Sequence, residues 1–278
     1  MCNEHHIFSV FYYTLLSCSI ITALSCLFMI FVYTKYNNLR GLSLKIVFWI
    51  SINDLIRSVF YMIPLIYLDN QTLCVIYGFF INVTFTNNAI WAIYIVISLQ
   101  RVLFSFNKET KTYFNYALLI TLIAIPLYHI GPVITNSFGQ NRGICTFKND
   151  GLGLIWRSIQ MSIIFLVAIL SIIIYLNIYF KAKRFEILTM FDLIFQKGMI
   201  FAIITITTST TLILFRYLEI SYGLCNTYII GIISCIAISL HGFFNFLGVL
   251  GNHNIRNTLR DTFMQRTRSA SSLDFLNH

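Results

Sequence analysis

Asp54 and Arg57 stand three residues apart inside a stretch, 44–68, that is otherwise dominated by apolar side chains. At helical spacing the two lie on neighbouring faces, near enough to pair. A lone charge in a helix surrounded by hydrocarbon costs roughly 2.5–3.5 kcal/mol on insertion scales, so its default reading is functional. Two readings stay open at this point. One is a self-neutralised ion pair with a structural role. The other is a polar hub, because Asn88 and Asn245, on two other apolar stretches, fall near the depth of Asp54. Such a hub would be hydrated and would repack when the protein changes state.

A second constellation gathers nearer one end of the apolar stretches. Arg157 and Gln160 open one stretch, Arg216 closes the next, and Asn87 with Trp91 makes a polar and bulky patch in a third. With Arg57 these residues form a candidate ligand-binding set: Arg57, Asn87, Trp91, Arg157, Gln160 and Arg216. A basic pocket of that kind suits an anionic ligand. The plainer alternatives are packing for Trp91 and snorkelling to the interface for the outer arginines.

Catalytic chemistry finds no support. A catalytic metal needs three convergent ligands, but His129 and His241 are isolated in sequence and no His-x-x-x-His occurs. An intramembrane aspartyl protease needs two carboxylates, and Asp54 is alone. A retinal Schiff base needs a lysine in the last apolar stretch, and no lysine follows Lys197. The expectation is a non-enzyme with no metal and no cofactor.

The elements that must position these residues follow from composition. Of 278 residues, 58% are hydrophobic and 10% charged, and mean hydropathy is +0.77. Soluble domains carry about 25% charged residues; this chain cannot coat a water-facing surface and needs lipid as its solvent. Seven apolar runs of spanning length fall at 8–34, 44–68, 74–100, 114–136, 155–180, 198–218 and 225–250. The expected fold is an all-α membrane protein, a seven-transmembrane helix bundle over 1–251. Beyond it, 252–268 spaces Ile255, Leu259 and Phe263 at helical intervals between arginines. That reads as a short amphipathic helix on the membrane surface. The last stretch, 269–278, reads as a short disordered tail.

The net charge of +9 points to topology and not to nucleic acid. Fourteen basic residues fall in one set of loops and four in the other, with Arg57 inside a span. The positive-inside rule makes the richer side cytoplasmic. The N-terminus is then outside and the C-terminus inside, as an odd number of spans requires. Cys74 and Cys145 fall in outer segments of an oxidising compartment, where a disulfide is chemically permitted. Two free thiols remain the alternative, and Cys225 is a possible competitor. Asn70-Gln71-Thr72 is a glycosylation sequon in an outer loop.

The span-7 element His241-Gly242-Phe243-Phe244-Asn245 resembles the Gln-Gly-Phe-x-Asn of the slime-mould cyclic-AMP receptors and their relatives, and the Gln-Gly-Phe of secretin-class receptors. Ser51-Ile-Asn-Asp54-Leu55 resembles the Ser-x-x-Asp-Leu of the first group. Trp91, the pair Cys74 and Cys145, and Phe215-Arg216 also match its pattern. The resemblance implies a G-protein-coupled receptor that passes a small-molecule extracellular signal to a heterotrimeric G protein at the plasma membrane. It adds His241 to a candidate activation core of Asp54, Asn88, His241 and Asn245. Docking would fall on the basic inner face, at Arg101, Lys181, Lys183, Arg184 and Arg256. His241 stands where the group has glutamine, and the second outer loop lacks the group's tryptophans, so cyclic AMP does not carry over as ligand. An N-terminus of about seven residues leaves no room for a secretin-class hormone-binding domain. A seven-span channel or transporter is the alternative function.

Overall fold

A computed structural model describes residues 4–36, 41–64, 67, 69–104, 110–141, 144–184, 188–223 and 225–251. Arg256, the segment 252–268 and the tail 269–278 lie outside the described residues. The first three spans are α1 (Glu4–Lys35), α2 (Leu42–Tyr61) and α3 (Gln71–Phe104). The fourth is α4 (Thr110–Leu119) and α5 (Ile125–Ile134), joined by a π-helical turn at Ile120–Ala124. The fifth and sixth are α6 (Gly151–Arg184) and α7 (Leu188–Tyr222). The seventh is the pair α8 (Tyr228–Ser239) and α9 (His241–Leu250). The expected all-α membrane bundle is the observed fold, with one small addition. An antiparallel hairpin, β1 (Phe138–Asn141) and β2 (Ile144–Phe147), lies between the fourth and fifth spans, with Phe138 opposite Phe147.

Polar residues of the spans turn to the interior, beside a buried apolar core, and apolar side chains cover the outside. On α3 the buried positions include Asn82, Thr86, Asn87 and Asn88, while Ile76 and Phe80 are exposed. On α6 Gln160 and Ser171 are buried, while Phe165, Leu166, Ile173 and Leu176 face outward. Hydrocarbon solvates those outer side chains, whereas polar groups must find partners within the protein. Among the described residues, four helices are each long and apolar enough to cross a bilayer, and the α8–α9 pair makes a fifth. Within their apolar runs, α2 carries Lys45, Asp54 and Arg57, and α7 carries Arg216 and Glu219.

One boundary and two internal irregularities depart from regular spans. The second span ends at Tyr61 with Met62 as its cap, not at 68. Pro64 has no N–H to extend the helix and disfavours helical backbone in the residue before it. The fourth span absorbs Pro126 by widening just before it. A proline removes the bond to the carbonyl four residues back, here Leu122, which lies within the π turn.

The seventh span has no proline, yet it bends by 51° between α8 and α9. Thr22 of α1 donates its hydroxyl to the carbonyl of Ser239 at the break. A side chain inserted into the helix ladder is a recognised cause of a kink. Gly242 follows at once. A Cβ there would stand 2.8 Å from Thr22 Cγ2, 2.8 Å from Cys26 Sγ and 2.9 Å from Asp54 Cβ. The missing side chain lets α1, α2 and α9 meet.

Candidate ligand-binding cavity and polar core

Asp54 is the centre of a buried cluster drawn from spans two, three and seven. Its Oδ1 accepts from Arg57 Nη2 at 2.6 Å and from Asn88 Nδ2 at 2.7 Å. His241 Nδ1 lies 3.0 Å from Oδ2 and 3.1 Å from Oδ1, and Asn245 Nδ2 reaches Oδ2 at 3.4 Å. A carboxylate only accepts, so the proton of this bond sits on Nδ1 of His241. Nε2 of the same ring lies 3.1 Å from the hydroxyl of Thr205 on α7, which brings a fourth span into the cluster. The side-chain oxygens of Asn88 and Asn245 are buried with no hydrogen-bond partner.

The four residues of the expected activation core, Asp54, Asn88, His241 and Asn245, are thus brought together. Arg57 belongs with them. The residue, expected in the ligand set, is 2% exposed and directs Nη2 at Asp54. Asn87 also turns away, donating to Asn53 Oδ1 on α2 at 3.2 Å. Trp91 is 0% exposed and packs between Tyr94 and Phe114, with ring centroids 5.8 and 5.7 Å apart. Its plainer reading, packing between spans, describes its position.

Above this core lies a cavity of about 980 Å³, counting the space that opens to solvent. Its apolar wall includes Phe11, Leu15, Tyr61, Tyr77, Phe85 and Ile238. The polar wall is Asn82, Arg157, Gln160, Arg216, Glu219 and Ser234, together with Thr146 from β2. Three of the six expected ligand residues, Arg157, Gln160 and Arg216, therefore line one space. Arg157 is buried and donates to the carbonyls of Phe147 and Lys148, which fastens the end of the hairpin to α6. Arg216 Nη1 pairs with Glu219 Oε2 at 3.0 Å.

The end of the bundle that carries the hairpin is tied by disulfide bonding. Cys74 of α3 is joined to Cys145 of β2 across 71 residues, and Cys225 is disulfide-bonded separately. Beneath the hairpin, Gly78 leaves room for Phe138, whose ring would stand 2.8 Å from a Cβ at that position.

A second polar cluster, not expected from sequence, ties α3 to α5 and α6. Thr86 donates to the Asn82 carbonyl at 2.9 Å. Its oxygen accepts from Gln160 Nε2 at 3.0 Å and faces His129 Nε2 at 3.2 Å. The hydroxyl proton is spent, so His129 must donate from Nε2, and its buried Nδ1 has no partner. The only trace in the sequence was a lone histidine in an apolar span.

At the opposite end, the Arg101 guanidinium lies 3.7 Å above the Tyr113 ring and Lys45 Nζ lies 4.1 Å from the Phe114 ring. Lys181, Lys183 and Arg184 occupy the last turn of α6 and are exposed.

No known family model matches the chain, and no curated protein matches it. The fold is similar to that of squid rhodopsin, known from a crystal structure, with a TM-score of 0.70 at 15% identity. The likeness covers 95% of this chain and 87% of that one. The chain is a multi-pass membrane protein with a rhodopsin-like seven-helix fold.

Proposed function

We propose that this chain is a G-protein-coupled receptor for a small extracellular molecule. The observation that carries the reading is a ladder along one face of α2. Tyr61 lines the cavity, Arg57 lies one turn deeper, and Arg57 bonds Asp54 at the polar core. A ligand that shifts Tyr61 acts on a residue one turn from a buried ion pair joining spans two, three and seven. Unpartnered amide oxygens on Asn88 and Asn245 offer the core a second hydrogen-bond arrangement. Two arrangements a few kcal/mol apart suffice for a two-state element biased by ligand.

In this reading Arg157, Gln160 and Arg216 contact the ligand, and Asp54, Asn88, His241 and Asn245 form the switch. Arg101, Lys181, Lys183, Arg184 and Arg256 face a heterotrimeric G protein. The N-terminus lies outside the plasma membrane and the C-terminus in the cytoplasm, by the basic-residue asymmetry. The motifs at 51–55 and 241–245 support placing the receptor with the slime-mould cyclic-AMP-receptor-like group. The rhodopsin-like fold supports the receptor class over a channel or transporter. Transporters with inverted repeats carry broken helices at matching places in two halves, and among the described residues the seventh span is the one apolar helix pair bent by more than 40° at a short break.

The test is a G-protein dissociation sensor in cells expressing the full chain, with Tyr61→Ala compared with wild type for basal and stimulated signal. A panel of Gα subtypes that gives no signal above vector in either case, with the chain at the cell surface, would sink the reading.

A further inference from the structure

The Asn82 carbonyl on α3 is an acceptor shared by two side chains. Thr86 donates its hydroxyl to it at 2.9 Å, and Gln160 of α6 donates Nε2 to it at 3.3 Å. Gln160 Nε2 also reaches Thr86 Oγ1 at 3.0 Å. A carbonyl only accepts, and the Thr86 proton is already committed to this one. Turning the Gln160 amide over would set Oε1 against the Asn82 carbonyl, oxygen to oxygen. The partners therefore hold the nitrogen end of the amide toward α3.

Oε1 is the other end, and it makes no hydrogen bond with the described residues. Gln160 is 1% exposed, and the space it borders is the cavity, beside Asn82, Phe85 and Met161. From this we infer that Gln160 is a specificity determinant. Its Oε1 accepts a hydrogen bond from the ligand, and the cavity selects an apolar body carrying an O–H or N–H over the same body whose polar end can only accept. The inference rests on the cavity being the ligand site of the proposed receptor. A ligand that fills the space takes Oε1 out of water. Without a donor to offer, it leaves a buried acceptor unbonded, and that penalty falls on binding. An exposed glutamine could turn over and offer its N–H to an acceptor instead. This one would have to give up Asn82 and Thr86 to do so. Sites built around a hydrogen bond to ligand discriminate strongly against the analogue that lacks it.

The test uses the full chain in lipid nanodiscs and two pairs of neutral probes. They are 2-phenylethanol with its methyl ether, and 1-naphthaleneethanol with its methyl ether. Both members of a pair are uncharged, so the charged side chains of the wall do not distinguish them. Binding is read by isothermal titration and by the shift in Tm, with partition into empty nanodiscs subtracted. The expected result is an alcohol bound at least about tenfold tighter than its ether on one body or both. Gln160→Met should bring the alcohol down to the affinity of its ether and leave the ether unchanged, which also shows that the cavity still forms. Thr86→Val removes one of the two groups that hold the amide nitrogen. It should tighten the ether several-fold, so that the preference falls to about threefold or less. That variant gains binding, so misfolding cannot mimic it. Equal affinity within both pairs, preference for an ether, or failure of every probe would each overturn the inference. So would an alcohol preference that survives Gln160→Met, or an ether affinity not raised in Thr86→Val. The receptor reading fails separately: an intact alcohol preference with no G-protein response to any stimulus would count against coupling and leave the ligand class standing.

Discussion

Nδ1 of His241 lies 3.0 Å from Oδ2 of Asp54, across 187 residues of chain. This contact joins the second span to the bend of the seventh. It places the ring so that Nε2 faces Thr205 on the sixth span. One imidazole thus bridges the carboxylate of the second span and a hydroxyl of the sixth. The arrangement depends on Gly242 next to it, since a side chain there would push α1 and α2 away from α9.

Asp54 is bound by a cation and by two amides, so its removal should have two separable effects. Asp54→Asn leaves the Arg57 cation buried without its counter-charge, a loss of roughly 3–5 kcal/mol. Surface expression should fall. Arg57→Met added to Asp54→Asn should restore expression, because both charges are then gone. Signalling by the double variant should stay abnormal, either silent or constitutive. Normal expression together with normal signalling in the double variant would remove Asp54 from the switch.

Gly242→Ala should destabilise the bundle by about 1–3 kcal/mol, the usual cost of overpacking. The new methyl would stand 2.8–2.9 Å from atoms of Thr22, Cys26 and Asp54. Thr22→Val removes the bond to Ser239 while keeping the shape, and should lower Tm by less. Thermal unfolding of both variants in nanodiscs checks this order; the reverse order would show that the bend, and not the close approach, carries the stability.

Trp91→Ala should behave as a core deletion, costing about 3–5 kcal/mol. Trp91→Phe should fold and keep ligand affinity, because the indole is fully buried away from the cavity and its N–H has no partner to lose. A tenfold loss of affinity in a well-expressed Trp91→Phe would return the residue to the ligand site.

The Cys74–Cys145 bond closes a loop of 71 residues, which in the chain-entropy account stabilises by roughly 4 kcal/mol. Cys145→Ser should lower Tm and weaken ligand binding, because Cys145 and its neighbours line the cavity. Non-reducing peptide mapping should recover the pair in wild type. Free labelling of both thiols in the intact protein would contradict the bond.

Replacing Lys181, Lys183 and Arg184 together with alanine should reduce G-protein activation several-fold and leave ligand affinity unchanged without G protein. These side chains are exposed at the end of α6, so stability should change by no more than about 0.5 kcal/mol. Unaltered coupling would exclude this turn from the docking face.

By itself the sequence determined the membrane class, the number of spans and the residues that needed an explanation. The reason is solvent. In hydrocarbon every charge and amide is conspicuous, so Asp54, Arg57, Asn88 and Asn245 stood out on apolar backgrounds before any partner was known. Pairing Cys74 with Cys145 needed only a choice among outer cysteines. What tertiary structure decided is direction. Arg57 turns inward to Asp54 and away from the cavity; Trp91 faces the second and fourth spans. A helical position fixes a face but not the neighbour that face meets, and seven helices can be rotated against one another without changing their hydropathy. The bend at Leu240 was equally hidden: the hydroxyl that bonds the Ser239 carbonyl there belongs to Thr22, 217 residues away. The aromatic lining of the cavity was hidden too: Phe11, Tyr61, Tyr77 and Phe85 look like lipid-facing residues until the bundle closes around them.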